Sequence, residues 1–334
     1  MIPADHPPVP ARKVGVLIVN LGTPDAAEAG AVRRYLAEFL SDRRVVEIPP
    51  LIWKPILHGI ILRTRPKKSA HAYAQVWTEE GSPLAAITRA QSAALQGAFG
   101  PEVVVDHAMR YGRPAIAERL AALKAEGCDR ILVAPLYPQY CAATTATAND
   151  AAFAALAGMR WQPALRTLPP YYDDPAYIDA LAASVRASVS ALDFVPDAIV
   201  TSFHGMPTRT LELGDPYHCH CVKTARLLEA ALGQPLILCF QSRFGRAKWL
   251  EPATDATLSV LPGKGIRKVA IVAPGFSADC VETLEELAIR GRDGFVAAGG
   301  THFATLPCLN ASNAGIAMLK TLIARQLEGW ITYP

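Results

Sequence analysis

The chain lacks a dominant charge. Its 33 Lys and Arg against 30 Asp and Glu leave a formal net charge of +3 over 334 residues. That balance gives no electrostatic footprint for nucleic acid, and the aromatic residues, at 7%, form no RNA-stacking motif. No nucleic-acid partner is expected. Nor is there an apolar run near the roughly 18–20 residues that a membrane span needs. Residues 1–13 are polar and Pro-rich, without the apolar core of a secretory signal. A cytoplasmic protein is expected, free or peripheral on the inner membrane surface. The seven cysteines are odd in number and scattered, which fits a reducing compartment better than a disulfide framework. Three chemical signatures are also missing. No GxGxxG follows the first strand, which argues against a dinucleotide site. No GxxxxGK(S/T) argues against a P-loop, and no GxSxG against a nucleophile elbow.

What is present is a 51% hydrophobic chain in which short apolar runs alternate with Ala-rich helical stretches. This is the pattern of βαβ units and a parallel sheet. Strands are expected at 14–20, 103–108, 131–135, 198–203, 236–240, 268–273 and 302–307. Helices are expected at 28–41, 84–98, 113–126, 145–158, 175–191, 219–232, 280–297 and 312–328. The sequence echoes itself. The run 14–20 leads into Leu21-Gly22-Thr23-Pro24, and 198–203 leads into His204-Gly205-Met206-Pro207. Likewise 131–134 leads into Pro135, and 269–273 into Pro274. Two similar α/β halves follow, 1–170 and 171–334, joined through the linker-like Pro169-Pro170-Tyr171-Tyr172-Asp173-Asp174-Pro175. The last helix is expected to pack back on the first half.

His204 stands where a β-prone run meets a Gly and a Pro. In an open α/β sheet the carboxyl ends of strands form the ligand crevice. An imidazole there serves as a base, a metal ligand or both, against the alternative of a hydrogen-bonded core histidine. A second site opens at Pro274-Gly275-Phe276 and runs through Asp279, Glu282 and Glu286, spaced three and four apart on one helical face. Such a carboxylate row binds a divalent cation or passes protons. The alternative is a helix start, with Asp279 and Glu282 as a capping box. One His and one or two carboxylates are too few for a closed structural metal site and suit an ion held briefly. Arg110, at the end of a strand, is a candidate partner for a substrate carboxylate, and Tyr111 and Tyr137 for a flat apolar ligand. His218-Cys219-His220-Cys221 resembles a metal box, but adjacent residues on a helix point in different directions and no second Cys pair follows.

Residues 48–68 combine apolar Leu51, Ile52, Trp53, Ile56, Leu57, Ile60, Ile61 and Leu62 with flanking Arg43, Arg44, Arg63, Arg65, Lys67 and Lys68. This suits a lip for a hydrophobic ligand or a membrane surface. The alternative is a buried helix with a solvated basic end.

Taken in order, these segments resemble the ferrochelatases, enzymes that insert ferrous iron into a porphyrin. The resemblance runs from Gly15–Pro24 through Gly81-Ser82-Pro83-Leu84, Met109-Arg110-Tyr111 and Tyr137-Pro138-Gln139-Tyr140. It continues through Ser202–Pro207, Gly214-Asp215-Pro216-Tyr217, Phe240–Gly245, Trp249-Leu250-Glu251-Pro252 and 274–286. It implies two Rossmann-like, doubly wound parallel-sheet halves with a porphyrin cleft between them, and insertion of Fe²⁺ into protoporphyrin IX with release of two protons, the last step of haem biosynthesis. It maps the family's essential His onto His204, its paired acid onto Glu282 and its acidic row onto Glu286; His204 and Glu282 are also the implied metal contacts. Ser82, Arg110, Tyr111, Tyr137, Trp249 and Phe276 match pocket residues, and 48–68 matches the lip. Arg290 stands where many relatives carry another acid. No cysteine follows Cys308, and only Cys219 and Cys221 are close, so no 2Fe–2S cluster and no cofactor beyond the substrate iron are expected. A tetrapyrrole carrier, a chelatase for coproporphyrin or cobalt, and a two-lobed binding protein are the rival readings.

Overall fold

The computed structural model describes residues 12–331 except 246; the N-terminal stretch 1–11 read above lies outside the described residues. The first half runs β1 (Lys13–Gly22), α1 (Ala29–Ser41), α2 (Pro50–Ile56), α3 (Leu62–Val76), α4 (Pro83–Phe99), β2 (Val103–Tyr111), α5 (Ile116–Ala125), β3 (Cys128–Pro135), α6 (Thr147–Ala157) and β4 (Ala164–Thr167). The second runs α7 (Pro175–Ser190), β5 (Ala198–His204), α8 (Thr208–Glu212), α9 (Tyr217–Leu232), β6 (Leu236–Gln241), α10 (Thr254–Val260), β7 (Lys268–Val272), α11 (Arg292–Ala297), β8 (His302–Thr305) and α12 (Asn313–Leu327). Segments Leu57–Ile61, Ala142–Ala146 and Glu282–Gly291 are π-helical.

Each half holds one all-parallel four-stranded sheet, ordered β2-β1-β3-β4 and β6-β5-β7-β8. The two orders are the same. The echoed strands therefore hold equivalent places: β1 matches β5, and β3 matches β7. Val16 to Val19 of β1 and Val200 to Phe203 of β5 are wholly or almost wholly buried. Strands covered on both faces read as continuous apolar runs, which is why both were visible in the sequence.

Two regions differ from expectation. β4, only four residues at a sheet edge, was not foreseen; it ends just before the stretch read as a linker. The chain then turns until Asp174 caps α7, its carboxylate accepting from the Ala176 N–H with Pro175 in the first turn. Residues 50–76 form one long helix interrupted by a π-helical turn. Pro55 removes an N–H just before that turn, and such a loss is a recognised cause of local rewinding. No helix among the described residues is long and apolar enough to cross a membrane.

Helix α12 packs on α4, α7 and β3. Its Leu319, Leu322 and Ile323 share one core with Val14, Val16 and Leu132 of the first sheet. Ile323 is fully buried there. Ile323→Ala is expected to cost about 2–5 kcal/mol, read from urea unfolding. A loss below about 1 kcal/mol would mean that the helix does not carry the first half's core.

Candidate active site

The carboxyl ends of the two sheets face each other. Tyr177 donates its hydroxyl to the Pro274 carbonyl, and Gln91 of α4 donates to the carbonyls of Ser277 (3.1 Å) and Asn310 (3.0 Å). Gln139, beyond β3, donates to Thr224 of α9 at 3.0 Å, and the Tyr140 N–H donates to His220 Nδ1 at 3.1 Å. Leu84 packs with Ala278 and Cys280 across the same divide.

His204 is the last residue of β5 and is half-buried. Its Nδ1 lies 2.7 Å from the Gly205 carbonyl oxygen. A carbonyl only accepts, so Nδ1 carries the proton and Nε2 keeps its lone pair in the neutral ring. The main chain beside it is pinned. The Gly205 N–H donates to the Gln241 carbonyl at 2.7 Å, and the Trp249 ring closes the space where a Cβ of residue 205 would stand. Trp249 donates its indole N–H to the Phe244 carbonyl (2.9 Å), with ring centroids 4.8 Å apart. The Arg65 guanidinium of the lip helix lies 4.8 Å over the Phe244 ring, so lip and second half meet there.

Glu282 opens the π-helical segment after β7. The capping box weighed as the alternative does not form. Asp279 accepts instead from the Thr283 hydroxyl (2.8 Å) and the Asn310 amide (2.6 Å), and Thr283 accepts from the Cys280 N–H (3.0 Å). Asp279 is thus a buried loop staple, separate from the acids that follow, and the Glu282 carboxylate is left free of cap duty. Its charge reaches the first half. Burial, then the Glu282 charge, push the Tyr73 phenol well above its ordinary value. Burial, then Tyr73, then Glu282 do the same to Tyr35. Burial and Glu282 also raise the Cys280 thiol. Glu286 follows, its oxygens accepting from the Ser242 N–H (2.7 Å) and hydroxyl (2.5 Å). Arg290 pairs with the buried Glu285 at 2.9 Å and lies 3.8 Å from Glu286.

His204 and Glu282 are joined through one residue, Gln241. It sits beside His204 in the sheet register, and its amide donates to the Glu282 carbonyl at 2.9 Å. Gln241 and Ser242 were visible only as part of a motif. A polar pair directly at a strand's carboxyl end was the signal that could have marked them.

The wall from the first half is built behind its surface. Arg110 donates to Asp42 (2.6 Å) and to Thr147 Oγ1 (2.6 Å), with its guanidinium 4.3 Å over the Tyr111 ring. Tyr111 is 0% exposed; its hydroxyl donates to Asp42 at 2.8 Å and its ring packs against Phe39. Tyr111 therefore backs the wall rather than facing a ligand. Ser82 accepts from Thr23 at 2.8 Å. Tyr137 is buried with no partner for its hydroxyl among the described residues. Phe276 lines a small cavity between the halves with Gln91, Tyr171 and Tyr177. In the Cys219 segment, His220 stacks on Tyr172 at 3.6 Å, Cys221 is buried and Cys219 is exposed, so the side chains diverge. Among the described residues no three His, Cys, Asp or Glu gather as a metal-holding group.

A family profile described as Ferrochelatase matches residues 13–327. A relative named Ferrochelatase from Rhizobium meliloti (strain 1021) is 55% identical over 334 residues, covering 98% of each chain. Another of that name from Agrobacterium fabrum (strain C58 / ATCC 33970) is 52% identical over 337 residues, covering 99% of this chain and 98% of its own. Among solved structures, SirB from Bacillus subtilis with Fe3+ matches with a TM-score of 0.57 at 13% identity, covering 95% of this chain and 97% of its own. CbiX, the terminal enzyme for biosynthesis of sirohaem in denitrifying bacteria, matches with a TM-score of 0.53 at 13% identity, covering 95% of this chain and 100% of its own. At such identities the likeness is one of fold.

Asp42 stands at the C-terminal end of α1. Burial opposes its charge, but hydrogen bonds from Thr147, the Arg44 N–H and Tyr111, with the Arg110 charge, hold its carboxyl below the usual range. A depressed native value stabilises the fold above the free value of about 3.9 and loses that contribution as pH falls through the native value. Asp42→Asn should therefore lower Tm most near neutral pH, with the gap to wild type shrinking below about pH 4. A gap constant from pH 3 to 7 in thermal melts would contradict this.

Proposed function

Because the chain belongs to the ferrochelatase family and inserts Fe²⁺ into protoporphyrin IX to form protohaem, we propose that His204 and Glu282 carry its proton traffic. Metallation must remove two pyrrole protons from a ring whose flat face gives a metal no easy approach. Bending the ring tilts its nitrogens out of plane, and binding energy from the remote ring edges offsets that strain. The single observation that carries the reading is the state of His204. Its Nδ1–H is committed to the Gly205 carbonyl, which leaves Nε2 as an acceptor at a strand's carboxyl end.

In this reading Nε2 takes a pyrrole proton and becomes imidazolium. The Glu282 carboxylate stabilises that cation, accepts its proton and releases it to solvent, which restores both groups. The neutral ring then accepts the second proton by the same route, so two protons leave as one Fe²⁺ enters. One imidazole and one carboxylate are fewer ligands than a closed metal site takes, so His204 and Glu282 would hold the ion only briefly. Glu286 stands one turn on, but its oxygens are engaged by Ser242, so it holds that turn in place and relays only by giving up those bonds. Trp249 and the lip grip the ring edges, with Ser82, Tyr137 and Phe276 shaping the walls and Arg110 and Tyr111 supporting them.

The lip also presents Leu51 (92% exposed), Ile52 (58%) and Ile60 (57%) near Lys54. Apolar side chains beside a cation suit the surface of an anionic bilayer. Leu51→Glu with Ile52→Glu is expected to reduce co-sedimentation with anionic lipid vesicles; unchanged binding would remove the membrane role.

His204→Ala is expected to lower iron insertion by about 10²–10⁴-fold while porphyrin binding, read by fluorescence quenching, is kept. Glu282→Gln should fall sharply at an unchanged Tm. An anaerobic assay with Fe²⁺ and protoporphyrin, read as haem absorbance, checks both. Full activity of His204→Ala sinks the proposal, and an effect of Glu282→Gln on Tm alone makes that carboxylate structural.

A further inference from the structure

Gln241 closes β6, and only 2% of its surface is exposed. Its bonds reach three residues on two elements. Its carbonyl accepts the Gly205 N–H at 2.7 Å, the residue after His204. Its Oε1 accepts from the Ser202 hydroxyl at 2.7 Å, and Ser202 is held in turn by Thr254 at 2.8 Å. Its Nε2 donates to the Glu282 carbonyl at 2.9 Å. The last contact fixes which way the amide faces, since a carbonyl requires a donor. The neighbouring Ser242 adopts φ +67°, rare for a residue with a side chain, and is clamped there by both oxygens of Glu286. One two-residue turn thus grips the segment bearing Glu282 at two points and the His204 strand at a third.

We propose that Gln241 is a positioning residue for metallation, setting the separation of the His204 ring from the Glu282 carboxylate by tying their main chains together. This rests on the reading of His204 and Glu282 as the proton-handling pair. The two residues come from elements 78 positions apart in the sequence, and β5 and β7 stop pairing at Thr201 and Val272, short of both. Beyond that point the sheet's own ladder no longer fixes their spacing. Gln241 bridges that gap with one backbone and one side-chain bond. Ser202 acts through Gln241 by orienting its amide.

The role predicts a loss in kcat rather than in porphyrin affinity, because Gln241 is buried behind the pair. Gln241→Glu keeps the shape and replaces the donor by an acceptor facing the Glu282 carbonyl. Gln241→Met keeps the bulk and removes both polar atoms. Each is expected to lower kcat per folded enzyme by roughly 10²-fold, the size of effect that a displacement near 1 Å produces, with KM for protoporphyrin close to wild type. Thermal melts give the folded fraction. Should either variant fail to fold, Ser202→Ala, which frees only the amide's orientation, is expected to lower kcat in the same direction by a smaller factor. Wild-type kcat in the folded variants, or a loss confined to KM, overturns the role. His204→Ala assayed alongside separates the two failures. If it is inactive while the Gln241 variants keep wild-type kcat, only the brace is wrong; if it is fully active, the pair itself is wrong.

Discussion

Strands β5 and β6 approach so closely at their carboxyl ends that only glycine fits after His204. A Cβ at Gly205 would lie 2.6 Å from the Gln241 carbonyl oxygen and 3.3 Å from the Trp249 ring. The 2.7 Å bond between Gly205 and Gln241 depends on that missing side chain. It holds the chain against the sheet where the imidazole leaves it, and it turns the Gly205 carbonyl so that Nδ1 can donate to it. The free Nε2, the place of Trp249 and the reach of Gln241 toward Glu282 all follow from the same contact. A strand end that would ordinarily fray becomes a rigid mount, which the proposed proton transfer requires.

The opposite side of the site depends on a division of labour among acids. Asp279 and Thr283 satisfy the start of the π-helical segment, and Glu285 neutralises Arg290. Glu286 fixes Ser242. Glu282 is held by none of these groups; its carboxylate takes the Cys280 thiol as hydrogen-bond partner, and its charge is felt by Tyr73 and Tyr35 across the divide. Spacing made these residues look like one row. Their partners separate them into three staples and one acid, Glu282, whose partner is a thiol.

How far the sequence could be read follows from where each signal lies. Fully buried strands such as β1 and β5 announce themselves as apolar runs, and their echo matched two sheets of identical order. His204 was legible because Gly and Pro end its strand at once. β4 was not, since Ala164 to Thr167 is a short, half-buried edge strand after a proline, with no apolar run. The lip segment was read as a helix only in the alternative, and its full length was obscured by Pro55 and Pro66, which normally mark breaks. The capping-box reading failed because the hydroxyl of Thr283, one residue beyond Glu282, reaches Asp279 first. Gln241 was legible as a polar residue at a strand's carboxyl end but not as a brace, because its bond goes to a residue 41 positions away and no local pattern encodes that.

The central claim is that the His204 ring meets the porphyrin nitrogens from a fixed mount at the cleft. A crystal structure with metal-free protoporphyrin bound tests it most directly. The account predicts the macrocycle between the sheet ends, with a pyrrole nitrogen about 3 Å from Nε2 of His204 and Nδ1 still on the Gly205 carbonyl. A ring seated elsewhere, or one whose nitrogens are screened from that imidazole, would contradict it.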